Sequence, residues 1–431
     1  MENSSKRPLD NGCQYLHTET KKPKASQGTT TTSHPKSSKE TIGFENLSDD
    51  VIMYLFKYLS HDNLAKMALT CPNLLRVSHD WTLWKKPRFE KFEKYMEDVY
   101  LSYLKEDTTE LYISCNDVPS TALSVSHKFL IQLETKCPEL QHLTLTNQVF
   151  DASEISVKIL HRKLKTLTID NTSIENIPDS SSYLCGINNA CPDLERIIMT
   201  NNDWFLPNCL YALAKLERLN YLSLAGCKQF KDCIPYASIT AITGFKSLQT
   251  LDLRFTPVSD HELVCFQRLT TLKNVLLESP EYMNHDRDAT ITDLGLAGFC
   301  TATFEFHYPY IQILIDRRGG VNLRRVHERN ANVDRCSIET LYVRNYPKVT
   351  DAFLKTAVRT CPYLKSLDIT GSCCTSAEIE YYKANRPSTK GLETNYLLFT
   401  LNESDKKMSK TNYNIQIQLM DNSGVITTHQ Q

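Results

Sequence analysis

The sequence predicts an α/β protein. A small N-terminal helical module leads into a curved solenoid of strand–turn–helix repeats, with parallel strands lining the concave face and short helices outside. Three observations lead there. An L-x-x-L-x-L pattern recurs through most of the chain, a stretch with helical apolar spacing stands before it, and a polar Lys- and Ser/Thr-rich segment precedes both.

Residues 1–40 carry too few large apolar side chains to offset the entropy of ordering, and read as a disordered basic tail. From residue 44 the character changes. In 44–90, Val51, Ile52, Leu55, Phe56 and Leu59 recur at the spacing of one helical face. Ser48 stands at the N-cap position, and Asp49 and Asp50 fall in the first turn, where the helix dipole favours negative charge. A second short helix is expected from Asp62, with Leu64, Ala65, Ala68 and Leu69 on its face, ending at Cys71-Pro72. Trp81, Leu83 and Trp84 follow among lysines and arginines. A module this small commonly gains stability from a partner or an abutting domain.

The solenoid is assigned to 91–385. Copies of the pattern begin at Leu140, Leu164, Leu194, Leu219, Leu248, Leu272, Ile338 and Leu364. Most steps between them fall in or near the leucine-rich-repeat period. The leucines of each short strand point inward and the intervening residues face out. No single copy buries its apolar edge alone, so neighbours must stack. The register breaks over 279–337, read as an irregular insertion or as one or two degenerate copies, for instance around Phe304–Phe306. The stretch 386–431 loses the repeat. Alternation in TNYLLFTL and NIQIQLM predicts strands, serving as a C-terminal cap or tail.

Composition narrows the function. A chain of 431 residues with 41% apolar and 23% charged residues has the makings of a real core, and its net charge of -1 gives no global field for nucleic acid or membrane. No run nears the roughly 18 apolar residues of a membrane span, and no apolar signal segment opens the chain, so it is expected inside the cell, in nucleus, cytoplasm or both. Its fifteen cysteines then read as reduced thiols. No C-x-x-C occurs, and Cys373–Cys374 are adjacent, so neither metal nor cofactor is expected. "CP-x-L" recurs at Cys137, Cys191 and Cys361, where a buried thiol fills a small gap. "S/T-D-x-x-L" supplies a cap before a short apolar helix. None of the usual catalytic motifs is present, so the chain is expected to have no catalytic residue.

The repeats resemble the cysteine-containing leucine-rich-repeat subtype. Residues 44–90 resemble an F-box through Leu47, Asp49, Ile52, Leu55, Phe56, Tyr58, Leu59, Asp62, Leu64, Leu83 and Trp84; Ser48 replaces the usual proline and Leu74 a frequent tryptophan. Together the resemblances cover roughly 44–385. They imply a substrate-recognition subunit of a Skp–cullin–F-box ubiquitin ligase. The Skp adaptor joins the module to cullin and RING subunits, and the repeats hold a protein substrate. An interaction scaffold that delivers no substrate stands as the alternative.

On that resemblance Leu47, Ile52, Leu55, Phe56, Leu59, Leu64 and Trp84 straddle the module core and the adaptor interface. The outward strand positions supply the substrate face, with Arg254, Tyr342, Arg344, Asp252, Tyr221 and Arg196 as candidates. Arg317, Arg318, Arg324, Arg325, Arg329 and Arg335 in the insertion form either an acidic-ligand site or a solvated detour. Lys6 and Arg7, with Lys21, Lys22 and Lys24, resemble a bipartite nuclear-import signal; a solvated tail is the other reading.

Overall fold

The computed structural model describes residues 47–115, 124–178, 182–300 and 336–385, with the backbone of four further strands, Ile311–Ile315, Val321–Arg325, Gln416–Met420 and Ile426–Gln430. The tail with Lys6, Arg7, Lys21, Lys22 and Lys24, the TNYLLFTL stretch, Phe304–Phe306, and Arg317, Arg318, Arg329 and Arg335 lie outside the described residues. The NIQIQLM expectation is met in part by Gln416–Met420, which pairs antiparallel with Ile426–Gln430.

The module is built from helices Asp49–Phe56, His61–Ala68 and Pro72–Ser78, followed by a short 3-10 turn at Trp81–Leu83. Ser48 occupies the N-cap of the first helix without a side-chain cap bond. The second helix starts one residue earlier than expected, because Ser60 caps it by accepting from the Asn63 backbone N–H. Pro72 does not end that helix. It opens the third, at a position where its missing N–H costs nothing. Ile52, Phe56, Leu64, Leu74, Val77 and Trp84 close the module core.

Ten parallel strands form one sheet, each paired with its neighbour in the repeat order. They are Arg88–Phe89, Glu110–Ser114, His142–Thr146, Thr166–Asp170, Arg196–Thr200, Tyr221–Ser223, Thr250–Asp252, Asn274–Glu278, Thr340–Arg344 and Ser366–Asp368. Inward positions such as Leu143, Leu167, Ile197, Leu222, Leu251, Val275 and Leu341 are buried in register. Helices including Ile234–Thr243, Asp260–Phe266, Asp293–Cys300 and Asp351–Thr360 connect successive strands. The first strand comes from the module itself, Arg88 pairing with Tyr112 and Phe89 with Ile113. Aromatic rings continue the junction: Trp84 stacks on Tyr103 at 4.1 Å, and Phe89, Tyr100, Phe92 and Phe129 follow in contact.

Asn274–Glu278 pairs directly with Thr340–Arg344 over five residues. No degenerate copy therefore enters the sheet at the register break. The TITDLGLAGF stretch instead supplies the helix Asp293–Cys300.

Two ladders run across the repeats. Within three residues of the strand ends, Asn147, Asn171, Asn201, Gly226, Phe255, Asn345 and Gly371 have positive φ. The backbone N–H of Asn147 donates to the Asp170 carbonyl, that of Asn171 to Thr200, and that of Asn345 to Thr370. Asn and Gly tolerate this left-handed geometry; Phe255, at φ 59°, is the bulky exception.

The second ladder uses the S/T-D motif. Asp260 accepts from the backbone N–H and hydroxyl of Thr292, Asp293 from those of Thr350, and Asp351 from those of Thr375. Each aspartate thus holds the next repeat's helix cap, beyond the capping role expected of the motif. Gly295 lets one rung close: a Cβ there would lie 1.9 Å from Asp260 Oδ1.

Candidate functional site

Two surfaces hold the candidate residues. On the module, the first helix divides its apolar residues between two faces. Ile52 and Phe56 turn inward, and Leu64 and Trp84 join them in the core. Trp84 Nε1 donates to the Ser78 carbonyl at 2.6 Å. Among the proposed adaptor contacts, only Leu55 is exposed, and Leu47 and Leu59 are half-buried. Ile52, Phe56, Leu64 and Trp84 serve the module core.

The outward face of the same helix holds Val51, Tyr54 and Leu55, at i, i+3 and i+4, and Tyr58, two residues past the helix end, continues the stripe. Tyr58 is 72% exposed and Tyr54 60%. Their rings meet edge-to-face at 5.2 Å and Tyr58 donates to the Tyr54 hydroxyl at 2.9 Å, so they form one surface. Trp81, also exposed, lies under the Lys85 ammonium at 4.5 Å. Nothing in the amphipathic count distinguishes the two faces, because apolar residues occupy both. Tyr54 was missed for that reason.

Two polar groups brace the module against the first strand. Asp62 Oδ2 accepts from the backbone N–H of Glu90 at 2.8 Å, and burial pushes its carboxyl above the usual range. His61 bonds the Leu83 carbonyl through Nε2 at 2.9 Å and accepts the Arg88 N–H through Nδ1. That arrangement requires a neutral ring, and burial holds its pKa below 6.5.

On the sheet face the structure brings the candidate residues together in rows. Arg196 and Tyr221 are register partners, and the guanidinium lies 3.9 Å from the ring centroid. Thr168, Ile198, Ser223, Asp252, Leu276, Tyr342 and Asp368 form the adjacent row. Asp252 faces outward yet is 1% exposed, because Arg254 covers it through Nε and NH2 at 2.9 and 2.8 Å while Ser223 donates at 3.1 Å. Arg344 Nε donates to Asp368 at 2.7 Å, with Glu278 at 3.9 Å. Burial raises the Glu278 carboxyl above its usual value.

Arg254, Arg344, Asp252 and Asp368 are therefore committed to one another rather than displayed singly. Spacing within one motif does not disclose this, since each pair depends on which side chain folds over its neighbour. Arg196 is exposed and makes no ion pair among the described residues. Tyr342 is half-buried with the Arg344 guanidinium 5.3 Å from its ring.

The CP-x-L cysteines are buried as expected, and burial pushes the Cys137 and Cys191 thiols up to about 12. Cys361 differs, since it meets Cys300 and Cys336, with the three sulfurs within 4.8 Å of one another. A search for short Cys spacing cannot find this group. The usable signal is that Cys300 and Cys336 both lie within the register break.

No family model and no curated protein matches the chain. Similar solved structures include a TLR13–ssRNA13 complex, at 16% identity over 64% of this chain and 31% of that one, TM-score 0.37. The Rad7–Elc1 complex in yeast aligns at 12% identity over 78% of this chain and 66% of that one, TM-score 0.39. The mouse RP105/MD-1 complex aligns at 14% identity over 70% and 40%, TM-score 0.34. This chain thus spans under a third of the first of these. Likeness this low leaves the architecture to rest on the chain's own strand order and repeat spacing, which define a leucine-rich-repeat solenoid. Among the described residues no helix is long and apolar enough to cross a membrane.

Proposed function

We propose that the chain is a non-catalytic substrate receptor of a Skp–cullin–F-box ubiquitin ligase, docking the Skp adaptor through the helical module and a protein substrate through the sheet face. The observation that carries this reading is the uncovered stripe Val51, Tyr54, Leu55 and Tyr58, on a module whose own core is already closed. A contiguous exposed apolar surface of this kind marks a partner contact. The F-box resemblance of the same segment supplies the class of partner. Ubiquitin chemistry then belongs to the conjugating enzyme held by the RING subunit, and this chain contributes proximity.

On the sheet face, Arg196 and Tyr221 offer a cation and a ring to a substrate without breaking an internal ion pair. A ligand for Arg254 or Arg344 must instead exchange with Asp252 or Asp368. This favours contacts centred on the earlier repeats.

The test is docking of the purified full chain to a purified Skp adaptor, with Leu55→Asp and Tyr58→Asp combined as the surface variant. Docking should weaken about tenfold or more, the loss of a central anchor, while the melting temperature holds. A wild-type chain that does not bind the adaptor overturns the reading. Binding of adaptor without recovery of cullin from cells moves the chain to the scaffold alternative. Phe56 and Trp84 are unsuitable probes, because their removal opens the core.

A further inference from the structure

Cys300 is the last residue of the helix Asp293–Cys300, Cys336 stands just before the strand Thr340–Arg344, and Cys361 caps the end of the helix Asp351–Thr360. The first two belong to one repeat, on either side of residues 301–335, and the third to the next repeat. Cys300 and Cys361 are buried and Cys336 is half-buried.

We propose that Cys300, Cys336 and Cys361 form a structural site for a thiophilic divalent cation of the zinc class, with three thiolate ligands from this chain and water in the fourth position. A tetrahedral zinc–thiolate centre, with Zn–S near ~2.3 Å, places its sulfurs roughly 3.8 Å apart. The spread of these three sulfurs, within 4.8 Å, accommodates that with small side-chain adjustments.

The surroundings suit thiolates. Thr360 Oγ1 lies 3.6 Å from the Cys361 sulfur. Such outer bonds orient metal-binding ligands and stabilise their charge. Metal binding would deprotonate the three thiols and release their protons to solvent, the divalent cation offsetting most of the resulting charge.

The site also has a structural task. It ties residue 300 to residue 336 and fastens both to the following repeat. Closing a long intervening stretch is entropically costly, and the cost grows with its length. Cys137 and Cys191 occupy the corresponding CP-x-L positions elsewhere, and there single buried thiols suffice.

The experiment is cobalt titration of the full chain, prepared metal-free and reduced, followed by optical absorption. One equivalent should bind, with thiolate-to-cobalt charge-transfer bands and the d–d bands of a tetrahedral site, and added zinc should displace it. Cys300→Ser, Cys336→Ser and Cys361→Ser should each remove the bands, whereas Cys185→Ser at an exposed position should retain them. Circular dichroism checks that each variant is folded. Cys336→Ser, at the half-buried ligand, is the decisive one. Absence of the bands in the folded wild-type chain overturns the proposal. So does their persistence in folded Cys336→Ser, or a disulfide within the trio of a chain that takes up no metal.

Discussion

Replacing Asp293 by alanine should cut the solenoid at the register break. Its carboxylate accepts the Thr350 backbone N–H at 2.8 Å and the Thr350 hydroxyl at 2.6 Å. Thr350 in turn caps the helix Asp351–Thr360, accepting from the Ala352 N–H. Hydrogen bonds to a charged group contribute about 1.5–3 kcal/mol each. Both residues are half-buried and the two bonds share one carboxylate, so a combined loss of about 2–3 kcal/mol is expected. In a repeat array this weakens one neighbour interface specifically, and everything C-terminal to it loses its link to the rest.

Urea unfolding reads the effect through two probes. All three tryptophans, Trp81, Trp84 and Trp204, lie before the break, so their fluorescence follows the N-terminal repeats. Circular dichroism follows every repeat. In the wild type the two transitions should coincide; in Asp293→Ala the dichroism transition should begin at lower urea while the fluorescence midpoint moves less. A change below about 0.5 kcal/mol with the probes still coincident would refute the rung's role, since that is the scale of an ordinary surface substitution. The exposed Asp286→Ala is the matched control.

Gly295→Ala should lower stability by about 1–3 kcal/mol, read as a urea midpoint shift, although alanine normally favours a helix, because its Cβ would overlap the Asp260 carboxylate. Trp84→Ala should lose about 3–5 kcal/mol of unfolding free energy, through its ring stack on Tyr103 and its bond to Ser78. His61, His79, His161 and His285 all have folded pKa values lowered by burial. The unfolded state therefore binds more protons below pH 6.5, and stability, full above that value, should fall as pH drops toward the folded values. Thermal melts between pH 7.5 and 5.5 test this, and His61→Gln should flatten the slope; an unchanged slope removes His61 from the account.

Much of the fold was legible because strand leucines repeat with the pleat. Every copy from Leu140 to Leu364 leads into a strand of the sheet. The opening strand Arg88–Phe89 was not legible, being two residues long and set in a charged segment. The direct pairing of Asn274–Glu278 with Thr340–Arg344 was hidden too, since sequence distance says nothing about which strands meet. Asp260, Asp293 and Asp351 read locally as first-turn acids; that each also spans to the following repeat depends on stacking. The module helix gave its apolar positions but not their facing: Phe56 and Leu55 are neighbours in sequence and opposite in role. The cysteine trio joins residues from two repeats, a proximity that only the stacked helices create.

The opening strand has a geometric consequence. Because Arg88–Phe89 leaves the module already hydrogen-bonded into the sheet, no hinge separates the tyrosine-bearing helix from the repeats. The molecule is then a ruler. Ten strands spaced at about 4.8 Å put the last roughly 43 Å from the first, measured along the sheet, and each strand stands at a fixed multiple of that step. A cargo gripped one repeat further along would be displaced by one increment and turned by the strand twist. On the proposed receptor reading, changing which repeat does the gripping would change where the cargo is pointed, even with its affinity untouched.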